Sequence, residues 1–79
     1  MSELAIRIRD LEAEERALSA RRARLHNRID FLRSGGGGPA DEEAETLERL
    51  VREEREVSTR RRQLHVQIAV ARTELLANR

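Results

Sequence analysis

Glu15, Ser19, Arg22, His26 and Asp30 form one spaced set in this chain, and Glu54, Ser58, Arg61 and His65 repeat it, with Ala69 in the last place. An offset of 39 residues superposes the two sets and also brings Leu11 onto Leu50, Leu25 onto Leu64 and Ile29 onto Ile68. The chemistry open to these side chains is recognition. An Arg guanidinium offers a planar fork that matches guanine O6 and N7 or a phosphate, and Glu or Asp can accept from the N1 and N2 edge of guanine. Ser and His can bond phosphate or ribose oxygens. Written twice, the set describes a ligand that is guanine-containing, anionic, elongated and itself two-fold symmetric. No nucleophile, base and orienting group fall together, so no enzyme activity is expected.

These residues need helices to line them up. At about 100° per residue the first set stays within an arc of roughly 80° over about 22 Å of helix. Leu4, Ile8, Leu11, Leu18, Leu25, Ile29 and Leu32 fall on alternating four and three spacings, which is a heptad seam, and its centre lies roughly 80° from the polar set. Leu47, Leu50, Val57, Leu64, Ile68, Ala71 and Leu75 write a second seam. Continued strictly, the seams would place Glu15, Arg22, Glu54 and Arg61 on core positions, where aliphatic residues are the stabilising choice.

Between the seams lies "GGGGPAD", residues 35–41. Gly35 can take the left-handed C-cap conformation and Pro39 cannot continue a preceding helix. The expectation is helix 1 over about 3–34, capped by Ser2, a linker over 35–40, and helix 2 over about 41–77, capped by Asp41 or Gly38. So short a linker allows only an antiparallel return, giving an all-α fold, a two-helix antiparallel coiled-coil hairpin. A dimer of such hairpins is a variant, because two helices bury little. If paired positions sum to about 75 or 76, Glu15 faces Arg61 and Arg22 faces Glu54. His26 then lies level with Leu50 and His65 with Leu11, and both polar stripes share one face across a pseudo-two-fold axis.

Composition agrees with a chain of long helices. In 79 residues there is no Cys, Trp or Tyr, and Phe31 is the only aromatic. Arg, Glu, Ala and Leu dominate, the usage of coiled coils. All 16 basic residues are Arg, set against 15 acids for a net charge of +1. Non-specific DNA binding, which neutralises many phosphates, starts from a poor position in so balanced a chain. The run "RRR" at 60–62, with Arg21, Arg22 and Arg24, has interleaved acids and no aromatics for stacking bases. No apolar run approaches the roughly 20 residues of a membrane span, and "MSELAIRIRDLEAEE" has no apolar export segment, so a cytoplasmic protein is expected.

The spacing of Glu, three residues, Ser, two, Arg, three, a polar residue, three and Asp resembles the signature of the RsiG-type anti-sigma factors of actinobacteria, carried there on an antiparallel coiled coil. The resemblance covers both helices. It implies that the ligand is cyclic di-GMP, taken up as a dimer of intercalated molecules, and that the partner is a WhiG-type sigma factor of the FliA-like class, kept from core RNA polymerase. Carried over, the nucleotide-binding residues are Glu15, Ser19, Arg22, His26 and Asp30 with Glu54, Ser58, Arg61 and His65. His26 and His65 stand where the family usually has Gln, and Ala69 where it has Asp. The loss of that acid implies asymmetric binding, with helix 1 reading a base more completely.

Two other readings use the same residues. Crossed Glu–Arg pairs at a seam fix antiparallel register, so a structural or scaffolding coiled coil without a small ligand is the alternative. It gives no reason for Ser and His to repeat at the same offsets. His26 and Asp30, four apart, with His65, could suggest a metal site. The absence of Cys and a register that holds the two His residues apart argue against it.

Overall fold

The computed structural model describes residues 2–35 and 40–78. Helix α1 spans Glu3–Arg33 and α2 spans Ala40–Ala77, 31 and 38 residues long. Ala, Leu, Arg and Glu are strong helix formers, and neither helix has Gly or Pro inside it. The two lie side by side in a rod of 59 × 16 × 15 Å. A helix of 38 residues is about 57 Å long at about 1.5 Å per residue, so α2 runs the whole length of the rod.

The ends of α1 are set by single residues. Ser2 is extended, at φ −70° and ψ 154°, and its Oγ accepts from the Ala5 N–H at 3.1 Å. This satisfies one of the donors that a helix start leaves unpaired. At the other end the Ser34 N–H donates to the Asp30 carbonyl at 3.0 Å and the Gly35 N–H to the Leu32 carbonyl at 3.2 Å. Gly35 has φ +84°, which glycine alone adopts without crowding a Cβ. Helix α2 begins at Ala40, so Asp41 lies in its first turn and not at its cap. The rest of the linker, with Pro39 and the other candidate cap Gly38, lies outside the described residues.

The seam is the one the spacing predicts. Ile8, Leu25 and Ile29 of α1 and Leu50, Val57, Leu64, Ile68 and Ala71 of α2 are buried. Leu4, Leu11, Leu18, Leu32, Leu47 and Leu75 are half-buried beside them. Among the described residues Leu64 alone has no exposed surface, at 0 %. A two-helix seam is covered from one side only, so most of its residues keep an edge in water. Among the described residues no polar or charged residue is buried, and no helix is long and apolar enough to cross a membrane.

Register follows from the cross-helix contacts. Arg22 meets Glu54 and Arg61 meets Glu15, so facing positions sum to 76 and the helices run antiparallel. The axis relating the repeats passes between Leu18 and Ser19 on α1 and between Val57 and Ser58 on α2.

Candidate functional site

Each half of the polar stripe is built from one helix's acid and hydroxyl and the other helix's cation. On α1, Glu15 and Ser19 are one turn apart, and the Ser19 hydroxyl donates to Glu15 Oε1 at 2.7 Å. From α2, Arg61 Nε donates to both, at 2.8 Å to Ser19 Oγ and 3.1 Å to Glu15 Oε1. The mirror half pairs Ser58 with Glu54 Oε1 at 2.6 Å. Arg22 Nε donates to Ser58 Oγ at 3.0 Å and to Glu54 Oε1 at 3.3 Å. Sequence duplication has become geometric duplication, contact for contact.

The two His residues complete each half, but not at the places their register gives. His26 and His65 lie level with Leu50 and Leu11, yet their rings reach one turn along the opposite helix. His26 Nε2 meets Glu54 Oε1 at 3.0 Å and His65 Nε2 meets Glu15 Oε1 at 3.2 Å. An ionised carboxylate only accepts, so Nε2 carries the proton in both. The diagonal reach follows from hydrogen bonding, since the level partners are aliphatic and the carboxylates one turn away accept.

These bonds tune the acids. Glu15 is held down from 4.5 to about 2, first by the Ser19 hydroxyl, then by His65 and by Arg61. Glu54 is lowered in the same way, first by Ser58 and then by His26. Hydrogen bonds donated to the charged form favour it. Glu15 and Glu54 keep 20 % and 19 % of their side-chain surface exposed, so both stay reachable from outside.

Both guanidiniums are anchored through Nε. Among the described residues no hydrogen bond reaches the Nη1 or Nη2 of Arg22 or Arg61. Each Arg is thus oriented by its own helix pair and leaves its outer fork for another acceptor. That is the geometry a bidentate ligand contact needs.

Two shallow recesses flank this centre and are related by the same pseudo-axis. One, beside His65, has a volume of about 320 Å³ and is lined by Glu12, Glu15, Ala69 and Arg72 among others. Its mate, beside His26, has about 120 Å³ and is lined by Asp30, Arg33, Val51 and Glu54. Ala69 leaves open the space that Asp30 occupies in the mate. Asp30 is therefore at the site, but in one half only.

The sequence reading missed a second layer of pairs. Arg21 pairs with Glu53, and Arg60 grips Glu14 through two bonds at 2.9 and 3.2 Å. They sit on the opposite shoulder of the seam, so Arg21 and Arg60 do not join Arg22 and Arg61 in one basic stripe. The signal was present, because Glu14 and Arg21 also recur at the 39-residue offset, as Glu53 and Arg60. The Arg72–Glu12 pair, at 3.1 Å, gave no such signal, since Glu12 falls on Val51. Among the described residues no three metal-ligating groups are gathered. Comparison of the chain with protein-family models, curated proteins and solved structures finds no match.

Proposed function

We propose that this hairpin senses cyclic di-GMP on its duplicated polar face and, when loaded, sequesters a sigma factor of the WhiG/FliA-like class in the cytoplasm. The observation that carries the reading is the pair of half-sites: two guanidiniums, each positioned by a Glu–Ser clasp through Nε and each presenting an unengaged fork. A two-fold symmetric nucleotide dimer meets equivalent groups in both halves. Its guanines offer O6 and N7 to the forks, and its phosphates and riboses meet Ser and His.

The nucleotide acts by linkage. In the free hairpin Arg22 and Arg61 hold Glu54 and Glu15. A bound dimer takes up the guanidinium forks, orders the face and adds its own surface to what the sigma factor meets. By this route the ligand raises affinity for the partner only as far as it binds the sigma-competent face more tightly than the free one.

The test is a calorimetric titration of the chain with cyclic di-GMP, with GTP and cyclic di-AMP as controls. Selective heat at about two nucleotides per hairpin supports the sensor, and a sigma pull-down with and without nucleotide then tests the partner. Adenine presents a donor where guanine presents O6, so the fork discriminates between the two cyclic dinucleotides.

One observation favours the scaffolding alternative: each Glu, Ser and His already has a partner within its clasp, and each Arg is anchored there through Nε. On that reading the clasp serves register alone. Replacing Ser19 and Ser58 with Ala would then change nothing that a titration reads.

A further inference from the structure

We propose that Glu12 is a nucleotide-binding residue, supplying to the base lodged beside His65 the carboxylate that Ala69 lacks; this rests on the cyclic di-GMP reading above. The two recesses share a set of groups that is arranged differently in each. Beside His26 the second acid is Asp30, on the same helix as the His, and Val51 lines the recess from α2. Beside His65 the position equivalent to Asp30 is Ala69, and the position equivalent to Val51 is Glu12. Acid and aliphatic residue have exchanged helices. Each recess thus holds one His, one Glu of the central clasp and one further carboxylate, with Arg33 in the first and Arg16 and Arg72 in the second.

Glu12 is oriented for this role. Arg72, one turn beyond Ala69 on α2, donates from Nη2 to Glu12 Oε2 at 3.1 Å, drawing the carboxylate across the helix interface. A carboxylate has room for about four hydrogen bonds, so one to Arg72 leaves capacity for the N1 and N2 donors of guanine. With Glu12 already in its wall, this recess is the roomier of the two, at about 320 Å³ against about 120 Å³. The site then has an acid at both ends, and the asymmetry implied by Ala69 is replaced by a near-symmetric pair of base readers.

The experiment compares the unsubstituted chain, Glu12→Gln and Asp30→Asn by calorimetry against cyclic di-GMP and against its hypoxanthine analogue, which lacks the 2-amino group, with a circular-dichroism melt of each. Expected is a loss of about tenfold in affinity for cyclic di-GMP in both variants, a narrowed preference over the analogue, and unchanged helicity. Glu12→Gln binding like the unsubstituted chain while Asp30→Asn weakens would overturn the assignment and leave the sensor standing. So would equal weakening toward both ligands together with a lowered melt, which would make Glu12 a strut for Arg72. No binding by the unsubstituted chain overturns the sensor reading, and the role of Glu12 with it.

Discussion

A single oxygen, Oε1 of Glu15, accepts from Ser19, Arg61 and His65, and that crowding decides how the hairpin responds to acid. The folded chain holds Glu15 near 2, whereas the unfolded chain titrates it near 4.5. A depressed carboxylate contributes stability that is fully present above its unfolded value and is lost as pH falls through the folded one. Melting temperature should therefore be level near neutral pH and fall between about 4.5 and about 2, with Glu54 adding to the fall in the same direction. Glu15→Gln should flatten part of that slope in melts followed by circular dichroism; a variant as acid-sensitive as its parent would refute the clasp. Arg22→Ala tests the other side of the same contact. Loss of one bidentate guanine contact costs about 1–3 kcal/mol, so affinity for cyclic di-GMP should drop at least fivefold while helicity stays close to that of the parent. A melted hairpin would show instead that Arg22 serves the fold.

The helices set how much such losses can be tolerated. Among the described residues Leu64 is the one large side chain with no exposed surface, lodged in the seam of α2. Truncating a buried Leu to Ala costs about 2–5 kcal/mol, a large share of what a two-helix rod can hold in reserve. Urea unfolding of Leu64→Ala should show that loss, and a midpoint equal to the parent's would remove the seam as the source of stability. At the turn, none of the described residues comes within 4 Å of a Cβ placed on Gly35, and its φ of +84° opposes a side chain there. Gly35→Ala should therefore cost about 1–2 kcal/mol from backbone strain alone, without altering the site. Arg60–Glu14 and Arg21–Glu53 contribute less, because exposed pairs are screened and must order long side chains.

At the scale of the whole rod, the pseudo-two-fold axis makes a prediction that no single residue makes. Arg22 and Arg61 stand in equivalent clasps, with Nε bonds of 3.0 and 3.3 Å in one and 2.8 and 3.1 Å in the other. Arg22→Ala and Arg61→Ala should weaken cyclic di-GMP binding by similar factors, and each should lower the stoichiometry or cooperativity of a nucleotide dimer. A variant pair in which only one matters would mean that the duplication is structural and that the ligand reads one helix.

Two long helices, the positions on their seams, the cap at Ser2 and the turn at Gly35 were legible in the residues, because heptad spacing and capping chemistry are local rules. The short linker required an antiparallel return with facing positions summing to about 75 or 76, and the packed helices chose 76. The repeat of Glu, Ser, Arg and His was legible too, since it is a pattern along the chain. What the residues could not say was which atoms meet across the interface. That His26 and His65 reach diagonally to carboxylates, that Arg22 and Arg61 are held by Nε, and that Glu12 and Arg72 line a shallow recess together with Ala69 all depend on side-chain reach and rotamer between helices. Those are fixed only when both helices are packed together.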